Sequence, residues 1–260
     1  MVVVQERIKP AFKAALKHLG LSLAIAGVSA MLVFGLWYPP PYHLLAGGLS
    51  LFVILVAVDV ISGPLLTLVV YDQRKPRAVM ARDIAVIVLL QLLGLAYGLH
   101  SVAQARPVFL AHEGNRFRLV SAVDVDETQL PQAEPEFQVL GYRGPRLIGV
   151  KLADASDPEF QSSVMLSMQG LHPAFRPARW VPYASVVPEV KSALQSMATL
   201  KEKHPDAEAE IDRALANHAL TSDSAGYLPL DAEKAEPVNW VVVVDRESGL
   251  PKTFLPLDGW

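Results

Sequence analysis

The run from Leu44 to Tyr71 most constrains what this chain can fold into. It is predominantly apolar, yet it carries Asp59 near its middle and the triplet Ser62-Gly63-Pro64 shortly after. A bilayer crossing needs about 20 mostly apolar residues, and this run is long enough. An acid at mid-depth is costly when ionised, so such residues usually face a bundle interior or another chain.

The neighbouring sequence extends this pattern. Leu19 to Tyr38 is apolar and uncharged, and Ile84 to Ala103 is apolar apart from Gln91 and His100. Three crossings follow, at about 19–38, 44–71 and 84–103. Met1 to Lys17 carries Arg7, Lys9, Lys13 and Lys17 against Glu6 and reads as a basic amphipathic lead-in lying at a membrane surface. A cleaved signal peptide fits poorly, because its apolar core is shorter and ends at a small-residue cleavage site. Trp37-Tyr38-Pro39-Pro40-Pro41-Tyr42-His43 reads as a tight turn between two spans, its aromatics at headgroup level.

Basic residues set the orientation. Arg74, Lys75, Arg77 and Arg82 follow the second span, the lead-in is also basic, and the loop between the first two spans has no Lys or Arg. Both basic segments are expected in the cytoplasm. Everything after the third span then lies on the opposite face, which in a Gram-negative inner membrane is the periplasm.

The expected organisation is an α-helical membrane domain of three transmembrane helices, residues 1–103, followed by a soluble α+β periplasmic domain, 104–260. In the second part, Val108–His112 and Arg116–Val120 flank a Gly-Asn turn and predict a hairpin, and Asn239–Val244 with Thr253–Leu255 predict another. Phe137 to Leu152 reads as short strands broken by turns. Asp157 as cap and Pro158 at the first position predict a helix to about Gly170 that buries Phe160, Val164 and Met168. Leu171 to Pro188 reads as an extended surface connection. Pro188 and Pro205 are expected to open two further helices, ending near Lys203 and Leu220.

Catalytic signatures are not visible. The seven histidines are scattered without a metal-binding spacing, and G-x-S-x-G, P-loop and G-x-G-x-x-G patterns are missing. The chain has no cysteine, which removes disulfides and thiolate chemistry. A net charge of -3 argues against a general nucleic-acid binder. The expectation is a non-enzyme without metal or cofactor.

Asp59 admits two accounts: an ion relay or contact with another membrane helix, or pairing within the bundle with a group such as Gln91. Asp59 and Ser62 share a helical face, and Pro64 lacks the N–H for its own helical bond. No second acid or basic partner stands in the other spans, so bundle pairing or partner contact is preferred over transport. Gly94 and Gly98 have the spacing that lets two helix backbones approach closely.

Leu36-Trp37-Tyr38-Pro39-Pro40-Pro41-Tyr42, Asp59 with Gly63-Pro64-Leu65-Leu66-Thr67 running to Asp72-Gln73-Arg74-Lys75, Arg82-Asp83-Ile84, and Ala105-Arg106-Pro107-Val108-Phe109 together carry a family resemblance. In these stretches the chain resembles the type IV pilin accessory proteins of the TfpX/TfpZ type. The resemblance implies an inner-membrane factor that promotes assembly of a major type IV pilin into surface pili, and so affects twitching motility. Its implied partners are that pilin, other pilus assembly machinery, and membrane lipids. Under that reading, the face of Asp59, Ser62, Gly63 and Pro64, or the face of Gly94 and Gly98, meets the pilin helix. The competing class is a membrane-anchored periplasmic sensing or ligand-binding module.

Overall fold

The computed structural model describes residues 2–154, 156, 158–235, 237 and 239–260, with side chains from residue 8 onward. It divides into two compact units: Met1–Trp37 with Gly48–Gln104, and Tyr38–Gly47 with Ala105–Trp260.

The helical unit contains α1 (Val2–Leu32), extended by a π-helical turn at Val33–Trp37. Three segments, Ile8–Trp37, Gly48–Val70 and Arg77–Gln104, are long and apolar enough to cross a membrane. The lead-in expected to lie on a surface is instead continuous with the first span. Ala11, Ala14, Ala15, Leu16 and Lys17 all favour helix, and Pro10 sits inside α1 without ending it. Large apolar side chains such as Met31, Ile54, Val58, Leu89 and Leu93 point outward, as they do on a helix whose solvent is lipid. The interior is thin and uses Phe52, Ile87, Gly63, Thr67, Ser22 and Ser29.

The second span begins later than the sequence reading has it. The helix α2 (Tyr42–Leu45) is a single turn that belongs to the other unit. Gly47 then takes φ +65, a left-handed conformation that suits glycine, and breaks the chain before α3 (Gly48–Val70). The third long helix is α4 (Arg77–Gln104).

The α+β unit is built on a mixed sheet of eight strands. In chain order these are β1 (Pro107–Glu113), β2 (Arg116–Ser121), β3 (Arg146–Val150), β4 (Trp180–Pro182), β5 (Gln195–Ser196), β6 (Ala225–Asp231), β7 (Trp240–Asp245) and β8 (Pro251–Leu255). The sheet order is β4-β3-β1-β2-β6-β7-β8, with β5 pairing on β6. Both expected hairpins are present: β1 pairs with β2 and β7 with β8, each antiparallel. Two parallel pairings join distant segments, β1 with β3 and β2 with β6.

Four helices complete this unit: α5 (Phe160–Met168), α6 (Tyr183–Ala193), α7 (Met197–Lys203) and α8 (Glu208–Asn217). Met197 and Leu200 of α7 and Ile211 and Leu215 of α8 form a core with Tyr227, Val241 and Val243. Leu228, Val242 and Val244 alternate with these residues and are also fully buried, so β6 and β7 are covered on both faces. A second core joins Phe109, Val120, Ile148, Phe137, Phe175 and Trp180.

Four expectations about this unit need correction. Pro188 lies inside α6 rather than opening it, and the chain breaks at β5 before α7 starts. The stretch before it, expected as a surface connection, supplies the strand β4 with buried Trp180. The helix α5 exposes Phe160, Val164 and Met168 and buries Ser163. The cause is polar: Ser163 Oγ accepts a hydrogen bond at 2.5 Å from the buried Arg176 guanidinium, which turns that face inward. The proposed cap Asp157 lies outside the described residues. Finally, the segment read as a turn between spans is folded into the α+β unit. Tyr38 and Leu45 are fully buried, and the Tyr42 ring meets Phe254 of β8 edge-on at 5.5 Å. Burial pushes the Tyr42 phenol up to about 12.

Candidate functional site

Within the helical unit the polar residues converge. Asp59 sits midway along α3, and a cavity of about 50 Å³ beside it is lined by His18 and Ser22 of α1 and Gln91 of α4, among apolar neighbours. That volume has room for a few waters, each needing about 10–15 Å³. The Gln91 amide donates to the Asp59 backbone carbonyl at 3.1 Å. The expected Gln91 partnership is therefore made through the main chain, and Asp59 itself lines the cavity.

Gly63 makes that bond possible. A Cβ placed on Gly63 would lie 2.2 Å from Gln91 Nε2, so any side chain there would displace the amide. One turn further, Thr67 is buried and its hydroxyl lies 2.6 Å from His18 Nδ1. These contacts tie α3 to both other helices. Ser62 is half-buried, and Pro64 lies inside α3 without ending it.

The glycine pair on α4 is divided. A Cβ on Gly98 would stand 2.2 Å from Leu55 Cδ1, so Gly98 is occupied by close packing of α3 inside the unit. Gly94 has nothing within 4 Å of that position. The pair thus does not offer one continuous groove.

The four basic residues lie where α3 hands over to α4. Lys75 Nζ donates to the Val70 carbonyl at 3.1 Å, capping the end of α3, and to Asp83 Oδ2 at 2.8 Å. Arg82 is a looser partner of Asp83 at 3.6 Å. Asp72 Oδ1 accepts from the Arg74 backbone amide at 3.0 Å, and Arg77 is the first residue of α4.

His18 and Ser22 were not singled out by the sequence, and Thr67 only as part of a stretch that carries the family resemblance. Each is a polar residue in or beside an apolar run, which is the only local signal they carry. Their convergence depends on how three distant segments pack.

In the α+β unit the chief polar cluster is an ion network. Arg118 Nε meets Glu113 Oε2 at 2.7 Å and Arg118 Nη2 meets Asp231 Oδ2 at 2.8 Å, with Arg118 and Glu113 both buried. The Ala174 backbone amide donates to Glu113 Oε1 at 3.1 Å. These bonds fasten the first hairpin to β6, where the parallel register is only Phe117↔Leu230 and Arg118↔Asp231. His112 beside it is buried, and burial pulls its imidazole down to about 4, against weaker opposing influences of the Gly114 backbone and Glu113. Among the described residues, no group of three or more His, Asp or Glu could hold a metal ion.

The chain thus combines three helices long and apolar enough to cross a membrane, with polar residues gathered between them, and a mixed-sheet α+β unit. The family model of fimbrial assembly protein FimB matches residues 6–47, which include the Leu36–Tyr42 run. The chain is 31% identical over 234 residues to the fimbrial assembly protein of serogroup I of Dichelobacter nodosus, covering 90% of each chain. It is 30% identical to the serogroup E1 protein of the same organism, with 90% of each again covered. The serogroups C1 and C2 protein is 36% identical over 116 residues, 45% of this chain and 88% of the relative. The chain belongs to this fimbrial assembly protein family. No solved structure matches it.

Proposed function

We propose that this chain is an inner-membrane accessory factor for type IV pilus biogenesis, which binds or stabilises the major pilin and promotes its assembly into surface pili. The observation that carries the reading is the similarity, over 90% of the chain, to proteins named for fimbrial assembly. The reading is non-enzymatic: the chain holds and presents a subunit.

The fold supports the topology. With three crossings, the loop between the first two and the segment after the third must emerge on the same side. Tyr38–Gly47 and Ala105–Trp260 form one compact unit, as that arrangement requires. Basic residues at Arg74, Lys75, Arg77 and Arg82 favour the cytoplasm for the other side, leaving the α+β unit in the periplasm. A subunit with one apolar helix and a periplasmic head could then be touched in both parts. Two linked weak contacts gain through effective concentration.

Within the bundle we propose that the pilin helix meets Asp59 at the cavity it lines between α1 and α4. Gly63 and Gly98 serve the bundle itself, and Gly94 remains open to a neighbour. Asp59→Ala is expected to lower surface pili several-fold at normal protein level. Unchanged piliation would remove Asp59 from this role. The test of the function as a whole is deletion of the chain, with sheared surface pilin counted against total cellular pilin. Loss of surface pilin with the subunit still present, and reduced twitching, is the expected result. Unchanged pili would refute the assembly role.

A further inference from the structure

We propose that the cleft between α1 and the chain leaving α3 is a binding site for the headgroup of an anionic phospholipid. The inference rests on the membrane reading given above and adds a ligand to it. Lys9, Lys13 and Lys17 recur at i, i+4 and i+8 along α1 and so share one helical face. That face borders an open cleft of about 440 Å³ whose opposite wall includes Tyr71 and Gln73. All three lysines are exposed, and none makes an ion pair among the described residues. The acid nearest in sequence to the opposite wall, Asp72, accepts the Arg74 amide.

Three ammonium groups lining one concavity, without an ion-pair partner among the described residues and with a phenol and an amide across from them, suit a phosphodiester. Phosphate oxygens accept from all of these donors. The surroundings separate a lipid from free phosphate. The adjacent stripe Ile8, Phe12 and Leu16 is 53%, 57% and 53% exposed at the same level of the helix. Below it α1 continues as an uncharged apolar span to Trp37. A ligand with acyl chains gains from both surfaces, whereas inorganic phosphate gains only from the lysines. Basic pockets at the cytoplasmic ends of membrane helices bind acidic headgroups on this logic.

A purely topological role for the lysines predicts orientation without lipid selectivity, and this separates the two. The full-length chain is reconstituted in nanodiscs of phosphatidylcholine and phosphatidylglycerol with matched acyl chains. Retained lipid is then counted by native mass spectrometry. The expected result is preferential retention of phosphatidylglycerol, falling by at least about tenfold in the variant Lys9→Gln/Lys13→Gln/Lys17→Gln. The corresponding Lys→Arg triple variant and Arg82→Gln are expected to keep the preference, which guards against misfolding of the Gln variant. A preference that survives in the Gln variant, that is lost equally in the Arg variant, or that inorganic phosphate competes away overturns the site. So does the lack of any preference in the unaltered chain. Because the chain has no cysteine, a single introduced one reports insertion by labelling. A chain that does not insert refutes the membrane reading and the site with it, whereas one that inserts without selectivity refutes only the site.

Discussion

At the scale of single residues, His112 is the clearest titrating group in the α+β unit. Its imidazole titrates at about 4 in the fold because burial disfavours the charged form, against about 6.5 in an unfolded chain. Between those values the unfolded state holds the extra proton, so stability falls as pH drops through that window and is intact above it. The loss amounts to about 3 kcal/mol at most. Comparing urea midpoints at pH 7 and pH 4.5 for the parent and His112→Phe checks this. The variant is expected to lose that part of the acid sensitivity, and equal sensitivity in both would refute the assignment. The sequence marks His112 only as one scattered histidine among seven. Its burial comes from β1 being covered on both sides, which no local pattern announces. Ser163 makes the same point in reverse: the apolar spacing of Phe160, Val164 and Met168 predicts the inward face of α5, but a buried guanidinium from Arg176 claims the serine instead.

At the scale of elements, the three long helices are legible because their apolar runs are continuous, and both hairpins because β-prone residues flank turn residues. The strand β6 escapes notice because it contains Gly226 and Pro229, residues that usually demote a strand. The protein tolerates them where β6 pairs with β7 in unbroken register. The α3–α4 contact was half-legible: Gly98 signals close approach, but its partner Leu55 could be named only from the fold. Gly98→Ile is expected to cost about 1–3 kcal/mol by overpacking, read as a lower unfolding midpoint in detergent. Leu55→Ala should restore part of that loss by clearing the space. If Gly98→Ile is neutral, the close packing of Leu55 on Gly98 is not a constraint. Asp59 itself was legible as unusual, while its surroundings were not. The bond from Gln91 to its carbonyl joins residues 32 apart in sequence.

At the scale of the whole molecule, the sequence misplaces one segment. Tyr38–Gly47 looks like an interfacial turn because tyrosines and prolines suit headgroups and tight bends equally well. Only the fold reveals that Tyr38 and Leu45 are core residues of the α+β unit. A fragment of residues 105–260 alone is therefore expected to be less stable than the same fragment linked to residues 38–47. The difference should be about 4 kcal/mol, from two large side chains each contributing about 1.5–3 kcal/mol on burial. Equal denaturant midpoints would show that the segment is dispensable.

That segment also gives the chain a built-in test of its own biosynthesis. The α+β unit reaches its full stability only with a piece threaded out about 60 positions before its main segment begins, between two other helices. A chain that inserts with one helix missing or inverted leaves that piece on the wrong side, with an unfilled hollow beside Phe254. Misinserted copies would thus reveal themselves as incompletely folded, and quality-control proteases could clear them before they engage a partner.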